Sequence, residues 1–143
     1  MRANLSDIAA AAMADPKKAL LDAAGDLSDY EVAGNLVLVA TYIQPEKTKG
    51  GIILSGTSLA EDRFQGKVGL ILKCGPAAFR DEPKAGIFFY GFAAEPSEWV
   101  LYRPSDAMEL FIRDRRKLND GLPCRLIEDS LIKARVSDPS LIY

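Results

Sequence analysis

The sequence predicts a mostly β fold: a small antiparallel barrel or sandwich preceded by a helical N-terminal arm. Three observations carry this. From Val32 onward, runs rich in β-branched and aromatic residues recur at short spacing. Glycine, proline or Asn-Asp-Gly turns separate most of them. No strand–helix–strand alternation and no internal repeat intervenes, which points away from a parallel α/β sheet. A chain of 143 residues suits one domain with a real core.

The elements follow in order. Asn4 can cap a helix that begins at Leu5, with Asp7 in its first turn at the positive end of the dipole. A second helix start is sharper, with Asp15 as N-cap, Pro16 at the first helical position, then KKALLDAA and Gly25 as the stop. Leu20, Leu21 and Ala24 give it one apolar edge, so the arm, residues 1–31, docks either on its own domain or on a neighbouring subunit. The β domain covers residues 32–136, with candidate strands at Asn35–Ile43, Lys67–Cys74, Gly86–Phe92, Glu98–Tyr102, Ala107–Arg113, Cys124–Glu128 and Leu131–Val136. Asn119-Asp120-Gly121 is a turn signal between two of these runs, and residues 137–143 form a short tail.

Composition narrows the function. Apolar residues make up 48% and charged residues 27%, as in an ordinary globular protein. The formal charge is 18 − 20 = −2, so no basic surplus exists to release counterions from nucleic acid or to hold a membrane surface. No apolar run approaches the roughly 20 residues that span a bilayer. The opening MRANLSDIAAAAMADPKK is interrupted by Ser6 and Asp7 and reads as a short helix rather than a signal peptide, which places the protein in the cytoplasm. The sequence has zero histidines, which removes Ser-His-Asp and Cys-His catalysis and histidine-bearing metal sites together. No phosphate-binding glycine motif occurs, and Glu61 and Asp62 sit in a polar stretch that reads as solvated loop. The expectation is a protein with no catalytic residues, metal or cofactor. Cys74 and Cys124 read as reduced buried thiols, a disulfide between neighbouring strands being the alternative.

One stretch asks for a partner. In KTKGGIILSGTS, the aliphatic triplet Ile52, Ile53 and Leu54 follows Gly50 and Gly51 and precedes small polar residues. It reads either as a short edge strand or as a loop, residues 47–66, that orders on binding.

Here the residues resemble the GroES-like co-chaperonins, the chaperonin-10 family. The strand Asn35–Tyr42, the loop core GGIIL, the return GKVGLILKCG (Gly66–Gly75) and the closing CRLIEDSLIKARV (Cys124–Val136) follow that family's order. The resemblance implies a small β-barrel, a homo-oligomeric ring of seven subunits, and a loop that lays Gly50, Gly51, Ile52, Ile53 and Leu54 into an apolar groove of a chaperonin ring. Three features depart from the family. Residues 1–31 are extra, Pro96-Ser97-Glu98-Trp99-Val100 replaces a Val-Gly-Asp-x-Val segment, and the roof-like insertion, residues 76–98, carries Phe88, Phe89, Tyr90 and Phe92. Those aromatics read as a buried strand or as an apolar patch. Extended members of this kind resemble those of bacteriophages. That admits a second expectation, a capsid-decorating virion protein that meets the major capsid protein. Its assembly contacts would be Leu20, Leu21, the four aromatics, Leu141, Ile142 and Tyr143. The setting is host cytoplasm in the first case and the virion capsid surface in the second.

Overall fold

The computed structural model describes residues 15–42, 67–113 and 121–142. The first described element, α1, is Pro16–Ala24, as the capping residues anticipate. The Asp15 side chain accepts the Lys18 N–H at 3.1 Å, and the Gly25 N–H donates to the Leu21 carbonyl at 3.1 Å, with Gly25 at φ +65°. A side-chain cap of this kind contributes about 1 kcal/mol. Leu20 and Ala24, four residues apart, share the face that α1 buries, while Leu21 points outward. α1 therefore docks on its own domain.

Among the described residues six strands follow: β1 (Leu36–Thr41), β2 (Val68–Cys74), β3 (Trp99–Tyr102), β4 (Met108–Ile112), β5 (Leu122–Glu128) and β6 (Ile132–Val136). They form one antiparallel sheet in the order β4-β5-β1-β2-β3-β6. The mostly β fold stands. The barrel is corrected to an open sheet, since β4 and β6 lie at opposite edges and do not pair with each other. Gly86–Phe92 is corrected as well. It makes one isolated bridge, Glu82 to Ile87, and no strand.

β1 is a continuous apolar run because both of its faces are covered. Leu38 and Ala40 face a core completed by α1, Val32, Tyr42 and Trp99. Lys73 pins the segment after α1 over this face by donating from Nζ to the carbonyls of Leu27 and Tyr30. Val37 and Val39 face a second core with Ile71, Val100, Ile127 and Ile132. Among the described residues no second sheet covers that side, so the sheet coils around it. The Arg125 Nη1 of β5 donates to the Tyr102 hydroxyl of β3 at 3.3 Å. Three strand spacings of about 4.8 Å separate those strands in the sheet order, and bending brings the side chains together.

The two cysteines are free thiols, on β2 and β5, with β1 between those strands. Burial pushes both thiols above their ordinary pKa, and the Glu95 carboxylate adds to the rise at Cys74. A thiol reagent applied to native protein at neutral pH should label the half-buried Cys74 slowly. Its rate should increase as the solution is made alkaline, and Cys124 should react only on unfolding. Equal native rates would contradict this placement.

Candidate partner-binding surface

The β2–β3 connection is built as a root and a tip. At the root, the Phe79 N–H donates to Asp129 Oδ2 at 2.9 Å, and the Phe79 ring meets Phe89 and Phe92 edge-on, each with centroids 5.8 Å apart. Arg135 lies 5.2 Å over the Phe92 ring, and its Nη1 donates to the Ala93 carbonyl at 2.8 Å and to the Glu98 carboxylate at 3.2 Å. A turn at Pro83–Ala85, ended by Gly86 at φ +72°, then reverses the chain, and Phe89 donates its N–H to Asp81 Oδ1 at 2.7 Å. The Phe89–Asp81 bond is local, while Asp129 and Arg135 reach in from the β5–β6 turn and β6, and together they hold the shape of a segment with no ladder of its own.

The tip presents Ile87, Phe88 and Tyr90 to solvent, with Phe88 48% and Tyr90 91% exposed. The Phe88 and Tyr90 rings stand side by side, centroids 6.0 Å apart. Among the described residues, the non-glycine residues at positive φ are Phe79 (59°), Tyr90 (54°) and Ser97 (76°), all within this connection. Each costs on the order of 1–3 kcal/mol, and such strain gathers where a surface is shaped for contact. Arg80 and Lys84 balance Asp81 and Glu82 around the tip. A charge-neutral rim around aromatics suits a protein contact better than a polyanion.

The other anticipated residues fall in several places. Gly50–Leu54 and Tyr143 lie outside the described residues. Leu20 is corrected: it is buried against the chain's own sheet and offers nothing to a partner. Leu21 and Leu141 are exposed, while Ile142 packs partly against the first core. Phe89 and Phe92 belong to the root rather than to the exposed tip.

A shallow groove of about 560 Å³ runs beside α1, lined by Lys17, Ser97, Glu98, Trp99, Arg135, Val136 and Ser137. Its Arg135 and Glu98 are already paired with each other. Burial raises the pKa of Tyr102, against the opposing pull of Arg125, and this interior pair is sealed from solvent. Among the described residues, no cluster of His, Cys, Asp or Glu could hold a metal ion, and no helix is long and apolar enough to cross a membrane.

The strand order fixes where the connections leave. Thr41 pairs with Gly69, and the Tyr42 N–H donates to the Val68 carbonyl at 3.0 Å, so the chain between β1 and β2 departs from the Val68 end of β2. The aromatic connection departs from its Cys74 end. No protein-family model matches this chain, and no curated protein matches its sequence.

Proposed function

We propose that this protein is a co-chaperonin-like binding protein built on a GroES-like scaffold. It would cap a chaperonin ring through Ile52, Ile53 and Leu54 and so assist folding, with a phage capsid protein as the client class. The observation that supports it best is the placement of the two connections. The chain bearing GGIIL and the aromatic segment leave opposite ends of β2, as a cap with one end toward a chaperonin and one end away requires. Six antiparallel strands in one sheet, with apolar cores on both faces, are compatible with such a scaffold.

Each aliphatic side chain laid into an apolar groove contributes about 1.5–3 kcal/mol before the loop's ordering cost is subtracted. A single loop binds weakly, and several tethered loops bind through effective concentration. Native mass spectrometry of the protein mixed with a bacterial chaperonin and ADP or ATP should show a nucleotide-dependent complex. Ile53→Asp should reduce that complex at least about hundredfold, because each loop of the ring loses its share. A wild-type protein that ignores the chaperonin under both nucleotides would sink this reading.

The exposed Tyr90, Phe88 and Leu141 favour a second reading, a virion structural protein that docks on the major capsid protein. In that case Tyr90→Asp and Leu141→Asp should weaken binding to purified capsid shells while Ile53→Asp leaves it unchanged. The opposite pattern would reject it.

A further inference from the structure

We propose that the tip of the β2–β3 connection is a binding site for a neutral glycan, with the Tyr90 and Phe88 rings as its stacking platform.

The two rings stand where the fold has no use for them. Tyr90 is 91% exposed and Phe88 48%, with centroids 6.0 Å apart and planes that differ by 32°. Tyr90 holds a φ of +54° while its ring faces water, a strain that no packing of the ring on the chain's own core offsets. The backbone beneath is fixed. Glu82 and Ile87 form a bridge, each donating its N–H to the other's carbonyl, at 2.9 and 3.1 Å. Rings already held at one spacing lose little freedom when a ligand is laid on them.

The rim selects the ligand. The Asp81 carboxylate accepts the Phe89 N–H at 2.7 Å, which sets it beside the backbone that joins the two rings. Glu82 lies across the bridge from Ile87, and Lys84 sits in the turn Pro83–Ala85. All three are exposed, so acceptors and a donor flank an apolar surface. A pyranose has the matching pattern. One face carries C–H bonds, whose positive edges meet the negative face of an aromatic ring, and its hydroxyls donate and accept at once. Neighbouring sugars of a chain offer that face twice, once to each ring.

Other occupants fit less well. A polyanion would be repelled by Asp81 and Glu82. A bilayer would have to take the Asp81 carboxylate out of water along with the rings. Aromatic side chains bury about 150–250 Å² each, so the exposed parts of Ile87, Phe88 and Tyr90 fall well short of the roughly 800 Å² per partner of a stable protein interface. The remainder would come from charged groups, which interface cores exclude. The inference rests on neither functional reading, since a cap and a shell protein can each carry such a site. It claims the same rings as the capsid contact, and the two differ in their response to a larger ring.

The test is saturation-transfer NMR and titration calorimetry of the full chain with cellohexaose, maltohexaose, mannohexaose and chitohexaose. At least one should receive saturation at its ring C–H protons and bind in the submillimolar to millimolar range. Tyr90→Ala should weaken that binding at least about tenfold with an unchanged thermal melt, because the Tyr90 ring supports no core. Tyr90→Trp enlarges the stacking face and should bind at least as tightly. Failure of all four probes overturns the proposal. So does binding that Tyr90→Ala leaves intact, or that Tyr90→Trp abolishes, which is the mark of a pocket shaped to one side chain. Tyr90-dependent binding to capsid shells or to phosphatidylcholine vesicles, with no hexaose bound, rejects it in favour of those partners. Neither chaperonin nor capsid enters the sugar titration, so its result is separate from the fate of either functional reading.

Discussion

Gly75→Ala is expected to lower the free energy of unfolding by about 2–4 kcal/mol, read from urea denaturation midpoints at unchanged slope. A Cβ at this position would lie 2.8 Å from the Ala33 carbonyl oxygen, and closer still to that of Gly34. These are backbone atoms in a segment tied down on both sides. The Gly75 N–H donates to the Leu36 carbonyl at 2.8 Å, and the Ala77 N–H to the Gly34 carbonyl at 2.9 Å. Relief therefore needs the start of β1 to separate from the end of β2, which disturbs the centre of the sheet. The sign is informative, because Gly→Ala at an unstrained, open position stabilises by about 0.4–1 kcal/mol through the unfolded chain. Gly86→Ala is the useful contrast. Nothing lies within 4 Å of its Cβ, but its φ of +72° costs an L-residue about 1 kcal/mol. A Gly75→Ala protein as stable as wild type would mean that the two segments are not in this contact.

Gly75 also illustrates what was legible beforehand. That a glycine ends the second strand could be read from the chain, whereas the reason, a close approach to the backbone of Ala33 and Gly34, could not. Signals carried by adjacent residues came through: Asp15, Pro16 and Gly25 bound α1 within a few residues of one another. Six of the seven candidate strands form, most of them trimmed by a residue or two at their ends. The seventh, Gly86–Phe92, failed because turn chemistry outweighed aromatic strand propensity. Gly86 and Gly91 at positive φ bend the chain at both ends of the run, and Tyr90 joins them, so no ladder can extend. The alternation of β5 puts Arg125 on the same face as Ile127, so a buried arginine was within reach of a closer reading. The open sheet was not, because closure depends on accumulated twist between strands that are distant in sequence. The aliphatic loop core lies outside the described residues, so its part in the site rests on the sequence.

Asp129→Ala is expected to cost about 2–4 kcal/mol and, before the sheet unfolds, to release the aromatic connection. The Asp129 carboxylate is buried at the β5–β6 junction. Its Oδ2 accepts the Phe79 N–H at 2.9 Å, while Oδ1 accepts Asn35 Nδ2 at 3.1 Å and the Ser130 N–H at 2.7 Å. Hydrogen bonds to a charged group contribute about 1.5–3 kcal/mol each, and a donor left buried without its acceptor is penalised further. One side chain thus ties the start of β1, the β5–β6 turn and the root of the aromatic segment together. Phe79 is itself at positive φ, so the bond to Asp129 opposes local strain that would otherwise favour a different backbone. Asp129→Asn keeps one oxygen acceptor and should lose roughly half as much. Hydrogen exchange separates an anchoring role from a general loss of stability. In Asp129→Ala, amides from Phe79 to Phe92 should exchange faster at a denaturant concentration where β1 and β5 remain protected. Chymotrypsin should likewise cut sooner after Phe88 and Tyr90. If β1, β5 and the aromatic segment lose protection together, Asp129 supports the sheet as a whole, and the tip is held by its own ring contacts and the Arg135 clamp instead.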